Sequence, residues 1–124
     1  MKLGALIVYV EDVGAAVGFY ERAFGLERGG VSTDEYSELK AGSETLLAFA
    51  ARSFIEQQTP GHGKAPQGFE VVLVADEVQA AFDRAVAEGA EPVLAPEQKP
   101  WGQVVSYVRA PDGTLVEICS EWRS

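Results

Sequence analysis

The chain repeats one pattern of elements, and that repeat restricts the fold more than any other feature of the sequence. Ala5-Leu6-Ile7-Val8-Tyr9-Val10 is a run of aliphatic, β-branched and aromatic residues that reads as a strand. Asp12 stands where a helix N-cap belongs, and Val13, Ala16, Val17, Tyr20 and Phe24 then recur at helical spacing. Gly25 is the expected stop, since glycine enters the left-handed conformation without a Cβ clash. Glu35 to Lys40 and Thr45 to Ala50 read as strands turned by Ala41-Gly42-Ser43-Glu44. The order then returns. Phe69 to Val74 reads as a strand, Asp76 as a cap, and Val78, Ala81, Phe82, Ala85 and Val86 as a helical stripe ended by Gly89. Strands are expected around Glu91–Leu94, Val104–Arg109 and Leu115–Ser120, the last pair joined by the tight turn Ala110-Pro111-Asp112-Gly113.

A β-α-β-β-β order used twice implies an α+β chain of two tandem modules, about 1–52 and 68–124, within one domain spanning 1–124. Residues 53–67 are read as the linker, on the strength of Pro60, Gly61, Gly63 and Pro66, with Gly68 just beyond. A ferredoxin-like sandwich with an extra hairpin is the alternative topology, and the repeat disfavours it. Neither half is expected to make a soluble core alone.

Composition removes several functions. With 19 acidic against 10 basic residues the formal charge is -9, the wrong sign for nucleic acid or an anionic membrane. No apolar run approaches the ~20 residues of a membrane span, and the start predicts no export signal. One cysteine excludes an internal disulfide framework and suits a reducing cytoplasm. A single histidine, His62, makes a three-His zinc site impossible in one chain.

Val10-Glu11-Asp12-Val13, Phe19-Tyr20 with Phe24-Gly25-Leu26, Pro100-Trp101-Gly102, and Pro111-Asp112-Gly113 followed by Leu115-Val116-Glu117-Ile118 carry a resemblance. Together with the repeat, these segments resemble the vicinal oxygen chelate superfamily of glyoxalase, bleomycin-resistance and extradiol dioxygenase proteins. The resemblance implies curved mixed sheets around a cleft, commonly completed in a homodimer. Metal-dependent members place ligands on the first and last strands of each module. The positions carried over are Ala5, Ala48, Phe69 (Glu70 if the strand is shifted by one) and Glu117. Transition metals want about three or four protein donors, so no metal and no cofactor is expected. His62, in a Gly/Pro loop, reads as a solvated imidazole.

Alternation along strands turns these inherited positions into a predicted cleft face. Ile7 and Tyr9 accompany Ala5, and Leu46 and Ala50 accompany Ala48. Val71 and Leu73 accompany Phe69, Leu115 and Cys119 accompany Glu117, and Trp101, Val105 and Tyr107 share one parity on the neighbouring strand. The expected result is an apolar, aromatic trough with one carboxylate. By the resemblance, Trp101 is the residue to stack on a planar drug. Glu117 is expected either to hold a ligand cation or to pair with Arg109 across the hairpin. If it is unpaired and buried, its raised pKa suits acid or base catalysis. Cys119 reads as a buried apolar thiol. These features predict a metal-independent small-molecule binding protein whose ligand is planar or cationic, an antibiotic among the candidates. The alternatives are a metal-dependent lyase or dioxygenase with a non-standard ligand set around Glu117, and a metal-free isomerase or lyase using Glu117.

Overall fold

The computed structural model describes residues 5–40, 42, 45–58 and 69–121. His62 and Trp122 lie outside the described residues. The chain divides into two compact units, Met1–Pro66 and Gln67–Ser124. The first holds β1 (Ala5–Val10), α1 (Val13–Phe24), β2 (Glu27–Ser32), β3 (Tyr36–Lys40), β4 (Leu46–Ala51) and α2 (Arg52–Gln58). The second holds β5 (Val71–Val74), α3 (Val78–Ala87), β6 (Glu91–Gln98), β7 (Val104–Arg109) and β8 (Leu115–Cys119). Their sheets run β1-β4-β3-β2 and β5-β8-β7-β6. In each, the first strand pairs parallel with the last, and the remaining pairs are antiparallel. The βαβββ duplication and the α+β class are therefore present as the sequence implies.

In the first unit, Asp12 is the N-cap of α1 and accepts a 3.0 Å hydrogen bond from the Ala15 amide. Gly25 ends the helix at φ 70°, the left-handed conformation expected of it. Between these caps, α1 buries Val13, Ala16, Val17, Phe19, Tyr20 and Ala23. Tyr20 packs against Phe49 of β4 with ring centroids 4.7 Å apart, and both are fully buried. Phe49 is in register with Val8, so Val8, Val10 and Phe49 form the α1-facing side of the sheet.

The second helix is capped differently. Its N-cap is Glu77, in extended conformation and without a side-chain cap bond, instead of the expected Asp76. This difference predicts a measurable asymmetry. Asp12→Ala should cost about 0.5–2 kcal/mol in urea unfolding, the usual value of a bonded cap, and Glu77→Ala close to nothing. Equal losses at both positions would contradict the assigned caps.

Two further elements depart from the sequence reading. Residues 53–58, assigned above to the linker, belong to α2, whose Arg52 Nε pairs with Glu11 Oε1 at 3.2 Å. The Pro and Gly residues that suggested a linker all come after this helix. Strand β2 has no alternating pattern, and nearly all of it is exposed. It exists because β3 supplies backbone partners, with a register irregularity between Arg28 and Ser32. Gly29 permits the close approach, since a Cβ there would sit 3.0 Å from the Glu38 Cβ. Arg28 ties the strand to α1 through bonds of 2.9 and 3.1 Å to the Glu21 carboxylate. Among the described residues, no helix is long and apolar enough to cross a membrane.

Candidate functional site

Each sheet packs α1 or α3 on one face, and the candidate residues fall on the opposite face. In the first unit, Ala5, Ile7 and Tyr9 are in register with Leu46, Ala48 and Ala50, which puts them on one face as expected. Ala48 and Ala50 are buried, whereas Ile7 on the edge strand is exposed. Tyr36 and Glu38 of β3 join this face opposite Ala50 and Ala48. The Tyr36 hydroxyl donates to Glu38 Oε2 at 2.7 Å. Burial, and then the Glu38 carboxylate, push this phenol up to about 12. Strand register brings this pair to the face, and sequence spacing alone carried no signal for it.

In the second unit, the expected assignment of Phe69 and Val71 to the Glu117 face is corrected. Val71 is in register with Val116, and Val72 with Glu117. Val71 and Val116 are both buried on the face of the core, so Leu73 and the parity of Phe69 go with them. Glu70, Val72 and Val74 therefore share the parity of Glu117. The reason is that β5 reads Val-Val-Leu-Val, apolar at every position, and alternation cannot tell the two sides of such a strand apart. Phe69 itself is 39% exposed.

The face parity of β7 and β8 is as expected. Tyr107 lies opposite Glu117, and Val105 opposite Cys119. Glu117 is only 7% exposed, and its Oε1 accepts from the Tyr107 hydroxyl at 2.9 Å. Glu70 reaches the same carboxyl. Loss of surrounding water, then a hydrogen bond to Glu117, then its charge, raise the pKa of Glu70. Two adjacent carboxylates cannot both ionise cheaply, so Glu70 holds its proton to higher pH than an ordinary carboxyl. Burial and Glu117 likewise push Tyr107 up to about 12 and the Cys119 thiol up to about 11.

Arg109 does not neutralise Glu117. It donates to the Gly113 carbonyl at 3.0 Å and approaches Glu91 at 3.9 Å. The ion pairs Arg28–Glu21, Arg52–Glu11 and Lys99–Glu97 involve neither Glu70 nor Glu117. Trp101 lies on the turn before β7, is 61% exposed, and donates its indole N–H to Gln103 Oε1 at 2.8 Å.

The donor set does not fit a transition metal. The inherited positions hold methyl groups at Ala5 and Ala48, and carboxylates at Glu70 and Glu117. No group of three or more His, Cys, Asp or Glu among the described residues could hold a metal ion.

The paired βαβββ sheets define the class to which this chain is similar. A glyoxalase/bleomycin resistance protein/dioxygenase family enzyme from Burkholderia phytofirmans PsJN aligns at TM-score 0.86 and 19% identity, over 97% of this chain and 98% of that one. A glyoxalase-related enzyme from Fulvimarina pelagi aligns at TM-score 0.85 and 20% identity, covering 98% and 88%. A lactoylglutathione lyase from Agrobacterium tumefaciens aligns at TM-score 0.72 and 25% identity, covering 96% and 92%. Residues 2–118 match the family profile, and the chain belongs to the Glyoxalase/Bleomycin resistance protein/Dioxygenase superfamily. Among curated proteins, none matches.

Proposed function

We propose that the protein binds a small planar or cationic ligand without a metal, on the sheet face that carries Glu117. The observation that supports this reading is the buried Glu117 with Glu70 beside it, neither of which takes part in the ion pairs made by Arg28, Arg52, Lys99 and Arg109. An organic ammonium or amidinium ion would supply a counter-charge to these carboxyls. Tyr107 offers a hydroxyl and a ring edge beside it. Trp101 offers an exposed aromatic plate for a flat ligand, worth about 0.5–2 kcal/mol per contact. The formal charge of -9 would draw cations in at low salt. An antibiotic is one candidate for such a ligand. A homodimer in a reducing compartment remains part of this reading.

A Trp122→Phe variant leaves Trp101 as the fluorescent reporter. Titration with proflavine, a planar cation, should quench it saturably, with weaker effects from neutral planar compounds. No saturable response across a varied cation panel would overturn the reading. So would stoichiometric zinc, nickel, manganese or iron that is lost in Glu117→Ala.

A second reading draws on the same pair. A carboxyl with a raised pKa beside a second carboxyl is a candidate acid and base pair, the arrangement a metal-free isomerase or lyase uses. The lyase from Agrobacterium tumefaciens keeps that class in view. In that case Glu70→Gln and Glu117→Gln would each abolish turnover, with ligand affinity largely retained in Glu70→Gln.

A further inference from the structure

Asp112-Gly113 is the one Asp-Gly pair in a chain that contains no asparagine. In an unrestrained chain such a pair rearranges without an enzyme. The glycine amide nitrogen bonds to the aspartate Cγ, the Cγ–OH bond breaks, and the amide proton leaves with that oxygen as water, closing a succinimide ring. Water then opens the ring at either carbonyl. Attack at Cγ restores aspartate, whereas attack at the former main-chain carbonyl leaves isoaspartate, with the chain routed through Cβ and Cγ. Glycine eases ring closure because it places no Cβ beside the attacking nitrogen.

The hairpin between β7 and β8 needs both residues. Gly113 stands at φ 98°, a conformation that L side chains rarely adopt. Asp112 Oδ1 accepts from the Thr114 amide at 2.9 Å, the local bond that favours aspartate in turns. The reactive pair is therefore built into the turn, and the turn must keep it from reacting.

Both reacting groups are held. The Gly113 nitrogen has to lose its proton and meet Cγ, yet its N–H donates to the Ala110 carbonyl at 2.9 Å. The Asp112 carboxyl has to swing back, yet its Oδ1 accepts from both the amide and the hydroxyl of Thr114. Its Oδ2 is buried and has no hydrogen-bond partner among the described residues, so the hold on the carboxyl comes from Thr114. Thr114 itself is 1% exposed, and its carbonyl accepts from the Ala110 amide at 2.9 Å. Arg109 closes the far side by donating to the Gly113 carbonyl at 3.0 Å.

We propose that Asp112-Gly113 is a self-modification site of this protein, kept unreactive in the folded chain by Thr114, whose amide and hydroxyl restrain the carboxyl that would be attacked. Reaction then requires the turn to open, so its rate follows the opened fraction. Isoaspartate adds one main-chain atom to the turn that sets Arg109 opposite Leu115 and Tyr107 opposite Glu117. The modification therefore acts on the register that brings the Tyr107 hydroxyl to Glu117, whatever the protein binds.

The test is ageing of the full chain in warm neutral buffer, followed by tryptic digestion and mass spectrometry of the peptide 110–123, in which isoaspartate and aspartate elute separately. The folded parent should form isoaspartate at least about tenfold more slowly than the parent kept in urea. Thr114→Val keeps the amide and the shape but loses the hydroxyl, and should react about tenfold faster than the parent, the factor one charged hydrogen bond is worth in an opening equilibrium. Thr114→Ser restores the hydroxyl and should return the rate to near that of the parent, which a merely loosened core would not do. Equal rates in the folded and the urea-unfolded parent overturn the proposal. So does a Thr114→Val rate equal to the parent's, or a Thr114→Ser rate equal to that of Thr114→Val. Should Thr114→Val fail to fold, hydrogen exchange in the parent decides: a protected Gly113 amide supports the closed turn, and a freely exchanging one overturns it.

Discussion

Phe49→Ala is expected to destabilise the protein by about 3–5 kcal/mol, the range for deleting a fully buried aromatic ring. Phe49 has no exposed surface, and Tyr20 lies on it at 4.7 Å between centroids. Tyr20 in turn touches Phe19 and Phe24 at 5.5 and 5.3 Å, so removal of Phe49 strips one side from the aromatic cluster of α1. Domains of this size hold only about 5–15 kcal/mol in total, so the variant should melt about 10–20 °C lower or fail to fold. Phe69→Ala is the contrasting case. That ring is 39% exposed, and its loss should stay within about 1 kcal/mol. Calorimetry on both variants decides the matter, and similar losses would contradict the burial assigned to Phe49.

Glu117→Gln should have the largest functional effect. It keeps the shape and the bond to Tyr107 but removes the buried charge. If Glu117 holds a ligand cation, affinity for proflavine should fall tenfold to a hundredfold, the effect of losing about 1.5–3 kcal/mol from a charged hydrogen bond. The substitution also changes the pH dependence of stability. Glu70 has a higher pKa folded than unfolded, so its contribution is complete below the ordinary carboxylate value of about 4.3. That contribution is lost as pH rises through the raised folded value. In Glu117→Gln the share of the shift caused by Glu117 disappears, and the share caused by burial stays. Melting temperatures measured from pH 4 to 8 should therefore slope less in the variant. An identical slope would mean that the two carboxyls do not interact.

The helices and most strands were legible because their signals are local. Asp12 bonds its own helix, Gly25 turns it, and Pro111-Asp112-Gly113 closes a hairpin between β7 and β8, all within a few residues. Strand β2 was not legible, since Glu-Arg-Gly-Gly-Val-Ser carries no period and depends on β3 for its bonds. Glu117 and Tyr107 were legible as sharing a face of neighbouring strands, but the partner expected for Glu117 across the hairpin was Arg109, and the register pairs it with Tyr107. The pairing of Glu70 with Glu117 was not.

Sequence by itself determined the duplicated α+β architecture, the family, the missing donors at Ala5 and Ala48, and the burial expected of Cys119. Periodicity, caps and turns are short-range chemistry, and side chains without donor atoms have none in any fold. Tertiary structure alone decided which side of β5 meets Glu117, and with it the exchange of Phe69 and Val71 for Glu70. It also decided that Gln103, unremarkable in the sequence, is buried and joins Trp101 to the Ser120 carbonyl. The physical reason is common to both. A strand apolar on both sides acquires its facing only from a distant partner, and a buried amide acquires its bonds only from the chains that fold around it.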